Sequence, residues 1–238
     1  NAAKTFFETL AKKYGNTPNI IWEIFNEPLQ GNTPVDHAKQ IIPIIRKYSK
    51  NVILVGSSSW SSNPQEWGAD LDSYENIAYT IHFYSDHNFW DRIGQANAKN
   101  HAVFASEWGM SSSSGNGGFQ STSTGNIAQW LSNMESKGVS YCNWSLSNVT
   151  VNGEGKVPET SAALQLGVTL TPSEANPWTD ASLTESGKSI RAWLRSKNPK
   201  WTVSDNTTKI VKNLTIAPSS TTALSFGKDS VFITAEYS

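Results

Sequence analysis

Five apolar runs of strand length, separated by segments of helical periodicity, constrain this sequence more than any other feature. They lie at Asn19 to Phe25, NVILVG (51–56), IAYTIHFY (77–84), AVFASEWG (102–109) and VSYCNWSL (139–146). Short continuous runs of this kind, bounded by Gly, Asn, Pro or Ser, read as buried strands. Between them the apolar spacing changes to that of helices. Phe6, Phe7, Leu10, Ala11 and Tyr14 mark a helix over residues 2–14, with Gly15-Asn16 as its stop signal. Val35, Ala38, Ile41, Ile42 and Ile45 mark a second, opened by Thr33-Pro34. A weaker helix lies around Trp90 to Ala98, another runs through Ile127, Trp130, Leu131 and Met134 to Gly138, and a last spans Leu183 to Leu194. Such alternation predicts parallel βα units, in either a doubly wound sheet or a barrel.

No GxGxxG turn follows any of the runs, which weakens a dinucleotide-binding sheet. Polar or aromatic residues stand at the C-terminal ends of four of the five: Asn26 and Glu27, His82 and Tyr84, Glu107, and Trp144. Barrels of eight βα units build their sites at that rim, so the pattern favours a barrel. Five strands do not close one. The 238 residues suit one domain or one plus an appendage. Residues 201–238 are rich in Thr and Ser with β-like stretches KIVKNLTI and SVFITAEY, so the expected division is 1–200 and a β-like extension or further module at 201–238.

Charge is nearly balanced, 19 Lys+Arg against 20 Asp+Glu, with no basic block. This argues against nucleic acid or an anionic membrane as a partner. A single cysteine, Cys142, permits no intrachain disulfide. No apolar run is long enough to span a membrane, and no signal-peptide pattern opens the chain. Ten Trp exceed what one core usually needs, and flat aromatic faces suit the apolar faces of sugar rings.

Glu27 and Glu107 each end an apolar run beside aromatic residues. One such glutamate is more often a helix cap or an ion-pair partner; two together point to a working pair. Cleavage of a glycosidic bond needs a proton donor and an anion that meets an oxocarbenium-like centre. Pro28 and Leu29 would shield Glu27 from water, and the Tyr84 hydroxyl is placed to donate to the other carboxylate. Asn26 is suited to hydrogen-bond a sugar hydroxyl. His82 and Tyr84, two residues apart, share one strand face. Trp144 offers either a sugar platform or core packing. No metal site is expected: the four histidines, His37, His82, His87 and His101, lack paired spacing, and no aspartate cluster has calcium-loop spacing. No GxSxG supports a serine hydrolase. Asn143, Asn148, Asn206 and Asn213 match the glycosylation acceptor pattern, which is too common to weigh.

The run PNIIWEIFNEP resembles the acid/base strand of glycoside hydrolase family 5, of the bacterial endoglucanase (cellulase) type. The resemblance continues in order through NVILVGSSSW, IAYTIHFY, AVFASEWGMSSSSGNGG, YCNWSLSN and SAAL, over roughly residues 2–196. It implies a (β/α)₈ TIM barrel and retaining hydrolysis of β-1,4-glucans, without cofactor. It also implies Glu27 as general acid/base and Glu107 as nucleophile, about 5 to 5.5 Å apart. Asn26 would contact the 2-hydroxyl, and His82 and Tyr84 would orient substrate and nucleophile. Trp144 would stack beneath the sugar under attack, while Trp60 and, more loosely, His87 would serve the leaving-group side. Secretion follows from the substrate, since cellulose cannot enter a cell.

On this resemblance the chain begins in the helix before the fourth strand and supplies strands four to eight. Strands one to three are missing, and with them an arginine that supports the nucleophile and a histidine. The missing N-terminal half is then a candidate partner beside the β-glucan itself. Val149 stands where many relatives carry a lysine for a more distant glucose, with Lys156 or Glu159 as substitutes. The competing readings are a carbohydrate-binding half-barrel without turnover and a β-mannanase or xyloglucanase of the same family.

Overall fold

The computed structural model describes residues 2–29, 34–150, 158–173 and 177–197, and the backbone of 211–218 and 231–237. Thr33, Lys156 and the acceptor pattern at Asn206 lie outside the described residues. Two compact units make up the chain. The first comprises Asn1–His82, Phe89–Ser106 and Lys137–Tyr141; the second comprises Phe83–Asn88, Glu107–Ser136 and Cys142–Ser238.

The first unit opens with α1 (Ala2–Tyr14), followed by β1 (Trp22–Glu23), α2 (Val35–Arg46), β2 (Ile53–Val55), β3 (Ile77–Phe83), α3 (Asp91–Asn97) and β4 (Val103–Trp108). After α4 (Gly125–Lys137) comes β5 (Ser140–Asn143). The five strands form one sheet in chain order, β1-β2-β3-β4-β5, and only the C-terminal ends of β3, β4 and β5 pass into the second unit. Pairing of β1 with β2 and of β2 with β3 is parallel. A doubly wound sheet would reverse its strand order at a switch point, and this order never reverses.

Burial explains the strands. All of β2 is buried, as are six of the seven residues of β3. The sheet's two ends differ from the expectation of fully buried runs. In β1 the ladder is two residues long, Trp22 and Ile24 are buried, and Ile21 and Phe25 are exposed. At β5, Ser140 and Cys142 are exposed. End strands have a neighbour on one side alone, so fewer of their groups are covered.

The first unit's core is mostly aliphatic. Ala38, Ile41, Ile42 and Ile45 of α2 pack with Phe7 and Ala11 of α1 and with Trp22, Ile24, Ile53 and Val55 of the sheet. Each fully buried isoleucine contributes about 1.5–3 kcal/mol. Phe6 and Tyr14, part of the apolar spacing that marks α1, are exposed, while Phe7 and Ala11 are buried and Ala3 and Leu10 pack partly buried against the same core. At the end of α2, Arg46 donates to the carbonyls of Asn51 at 2.7 Å and Glu75 at 2.6 Å, tying the entrances of β2 and β3 together. Burial lowers its pKa, although nearby Glu75 opposes that.

The second unit is built on aromatic rings. Phe83 stacks on Trp130 of α4 at 4.0 Å between centroids and on Trp108 at 5.7 Å. Its last helix, α5 (Glu185–Lys197), starts two residues later than the apolar spacing predicts. Thr184 Oγ1 accepts the Gly187 N–H at 3.1 Å and so caps the helix at that point. Strands β6 (Val211–Pro218) and β7 (Val231–Tyr237) pair antiparallel. No helix among the described residues is long and apolar enough to cross a membrane.

Candidate active site

In the first unit, Glu27 follows β1 by four residues and keeps 30% of its side chain exposed. His82, near the end of β3 and almost wholly buried, places Nδ1 2.9 Å from Glu27 Oε1. The other ring nitrogen, Nε2, lies 2.9 Å from Ser106 Oγ on β4, and Ser106 Oγ donates to Glu23 Oε1 at 2.7 Å. Three strands therefore contribute to a continuous line, Glu27–His82–Ser106–Glu23.

Asn26 is exposed, and its carbonyl accepts the Ser61 hydroxyl at 2.6 Å. That serine belongs to the turn after β2, where Ser59, Trp60 and Ser61 have φ of 53°, 57° and 55°. Three successive non-glycine residues in the left-handed region cost on the order of 1 kcal/mol or more each, and persist only where surroundings hold them. Here the Trp60 N–H donates to the Pro28 carbonyl at 2.8 Å, and Ser61 Oγ lies 3.0 Å from Thr80 Oγ1. The turn carrying Trp60 is thus fastened to the Asn26-Glu27-Pro28 turn, with the Trp60 side chain half exposed. Gly56 permits this approach: a Cβ there would sit 2.4 Å from the Phe25 carbonyl oxygen and 2.8 Å from Pro28 Cδ.

In the second unit, the Tyr84 hydroxyl donates to Glu107 Oε1 at 2.6 Å. Such a short bond to a carboxylate is of the stronger, charge-assisted kind. Gly109 lets the ring lie there, because an added Cβ would come within 2.4 Å of Tyr84 Cε1 and 2.6 Å of Ser161 Oγ. His87 holds the same tyrosine: its Nδ1 accepts the Tyr84 N–H at 3.1 Å, and its carbonyl accepts from Trp130 Nε1 at 3.0 Å. Asp86 accepts the Ser113 N–H at 2.9 Å and the Ser113 hydroxyl at 2.8 Å. Trp144 is 44% exposed, whereas Trp67, Trp108 and Trp130 are fully buried. Exposure separates Trp60 and Trp144 from the tryptophans that fill the interior.

Sequence reasoning missed Glu23 and Ser106. A signal existed for Glu23, a charge inside an apolar run and four residues before Glu27, a spacing that keeps one strand face. For Ser106 there was none, since a serine beside a glutamate has no distinctive spacing.

The family model described as Cellulase (glycosyl hydrolase family 5) matches residues 1–150. The chain belongs to glycosyl hydrolase family 5. It is 37% identical over 204 residues to an endoglucanase from Clostridium saccharobutylicum, a match covering 82% of this chain and 42% of that protein. The chain thus spans about two fifths of the length of that curated relative. A solved structure from Cytophaga hutchinsonii is 36% identical with a TM-score of 0.70, covering 84% of this chain and 63% of that one. The catalytic domain of an endoglucanase from Thermobifida fusca, in complex with cellotetraose, is 27% identical with a TM-score of 0.64, covering 82% and 62%. Shares of 63% and 62% are what five βα units in eight would give. The fold expected from the sequence, five strands of a (β/α)₈ barrel, is borne out.

Proposed function

We propose that this chain carries the acid/base and nucleophile strands of a retaining endo-β-1,4-glucanase. The observation that supports it best is the contrast between the glutamates that end two apolar runs. Glu27 is joined to a buried histidine, a group able to share a proton, while Glu107 accepts a hydrogen bond from a tyrosine hydroxyl. One setting suits a proton donor and the other an anion.

In the first step a Glu107 oxygen attacks the anomeric carbon. The bond from that carbon to the leaving oxygen breaks, and Glu27 gives its proton to that oxygen. In the second step Glu27 takes a proton from water, the water oxygen bonds to the anomeric carbon, and Glu107 departs as a carboxylate. The Tyr84 hydroxyl stabilises Glu107 at the start and end of the cycle. Asn26 binds the 2-hydroxyl, Trp144 stacks beneath the reacting sugar, and Trp60 serves the leaving-group side, with His87 supporting Tyr84 from behind. The substrate class is a β-1,4-glucan such as cellulose, met outside the cell after secretion.

A 2-fluoro cellobioside with an activated leaving group tests this directly. Intact-mass and peptide analysis should find one glycosyl group, esterified to Glu107, and none in Glu107→Gln. A label elsewhere, or one that survives in Glu107→Gln, would sink the assignment. Oligosaccharide binding with no label at all would favour the binding reading, in which Trp60 and Trp144 work without turnover.

A further inference from the structure

We propose that the second unit carries a carbohydrate-binding site of its own, a pocket beside Phe119 that takes sugar rings of a neutral β-glucan. The choice of a glucan as occupant rests on the glucanase reading. The site itself rests on the shape and chemistry of the pocket.

The pocket has a volume of about 310 Å³, at the lower end of the range for small-ligand sites. Phe119 and Pro158 give it apolar walls, and Glu159, Gln165 and Glu185 give it polar ones. Glu107, Tyr84 and Trp144 do not line it, so it is not the place assigned to the reacting sugar. Phe119 is 41% exposed, whereas Phe83, Trp108 and Trp130 of the same unit are buried. A ring left open beside a concavity gains from being covered by another apolar face.

The polar wall is made of acceptors. Glu159 is half-buried, yet its carboxylate has no hydrogen bond or ion pair among the described residues. Gln165 donates from Nε2 to the Leu183 carbonyl at 3.2 Å, which leaves Oε1 to accept. Lys188 holds one oxygen of Glu185 at 2.8 Å and leaves the second to accept. Acceptors round an aromatic face suit a molecule with many hydroxyl donors and an apolar face, which describes a pyranose ring. The two carboxylates repel anions, so acidic polysaccharides fit poorly.

The walls are also fixed in advance. The Thr160 hydroxyl accepts the Gly117 N–H at 2.8 Å, and the Thr160 N–H donates to the Gly115 carbonyl at 3.1 Å. These bonds join the segment of Glu159 to the loop that leads into Phe119. Ser186 of α5 donates to the Thr160 carbonyl at 2.5 Å and so ties in the helix start that carries Glu185. Gly115, at φ 77°, lets the Glu159 carboxylate lie against it, since an added Cβ would stand 2.9 Å from Oε1. A pocket held in this way loses little freedom on binding.

The test is amide NMR of the full chain titrated with cellotetraose, in the unaltered protein and in Trp144→Ala, which weakens the cleft. Signals of Phe119, Thr160 and Gln165 should move in both. Phe119→Ala should weaken that binding by about tenfold, the upper range for one stacked ring. Glu159→Ala should weaken it as well, and an unchanged remainder of each spectrum checks that the fold survives. Shifts confined to Trp60 and Trp144, or pocket shifts that both variants leave unaltered, would overturn the site. A stronger response to a chitosan tetramer, which is cationic, would overturn the neutral glucan as its occupant.

Labelling by the 2-fluoro cellobioside separates this site from the glucanase reading. It should proceed at an unchanged rate in Phe119→Ala. Labelling lost in that variant alone would place Phe119 in the cleft and overturn a separate site. Pocket signals that move in a chain that takes no label would uphold the site and sink the glucanase reading instead.

Discussion

Glu27 and Glu107 end apolar runs of the same kind, yet the molecule holds them by opposite means. Glu27 sits at the end of a line of side chains, His82, Ser106 and Glu23, drawn from residues 24 to 83 positions apart in the chain. Glu107 has the hydroxyl of Tyr84, whose ring fits only because Gly109 has no side chain. The line is redundant in its middle: His82 and Ser106 each have a partner on either side, so removing Ser106 leaves the His82–Glu27 contact in place. The tyrosine contact depends on an absence, and filling the space breaks it outright. On the proposed reading, the carboxyl that exchanges protons is served by connected donors and acceptors, and the one that stays anionic by a fixed donor.

Gly109→Ala is therefore expected to have the largest effect. A Cβ 2.4 Å from an aromatic carbon must push the ring or the backbone aside, an overpacking that costs about 3 kcal/mol. Urea denaturation should show the lowered midpoint, and the Tyr84–Glu107 bond should be lost with it. An unchanged midpoint would mean that Tyr84 moves freely, and that the contrast drawn above is wrong.

Next come Tyr84→Phe and Ser106→Ala, which set the two supports against each other. Tyr84→Phe removes one hydrogen bond to a carboxylate, worth about 2 kcal/mol. Ser106→Ala should cost about 1 kcal/mol, because Glu23 keeps a third of its side chain in water and His82 keeps Glu27. The same denaturation measurement ranks them. A larger cost for Ser106→Ala would show that the line is a rigid unit instead of a redundant one.

How much of this was legible in the sequence follows from how local each feature is. The runs at 51–56 and 77–84 became β2 and β3 because they are apolar on both faces, which spacing reveals. The run at 19–25 misled as to length and burial, since its hydrophobicity alone does not tell that it lies at a sheet end. The start of α5 shifted because a threonine hydroxyl, not an apolar position, decides where that helix begins. At the site, the reach of Tyr84 to a carboxylate was readable from strand ends and alternation. The Ser106–Glu23 bond was not, because it joins residues 83 apart and depends on strand order, which is tertiary information. The left-handed turn at Trp60 was equally hidden: serines and a tryptophan carry no local preference for it, and only the bonds to Asn26 and Pro28 explain it.

The smallest expected effect lies beside the tyrosine support, in the loop at 111–118. Partial burial pulls the Asp86 carboxyl upward, but the Ser113 hydroxyl and N–H, its own backbone N–H and nearby His87 outweigh this, so its pKa is lowered from the ordinary 3.8. A carboxyl lowered in the folded state contributes stability that is fully present above its unfolded value. That contribution fades as pH falls through the lower folded value. The side chain is 44% exposed, so solvent screens the interaction and the contribution is small. Ser113→Ala should therefore be slightly less stable than the unaltered protein at neutral pH, and the gap should close as the pH drops below about 4. Thermal melts of both proteins across that range would show it. A gap that stays constant down to low pH would mean that Ser113 acts through packing alone.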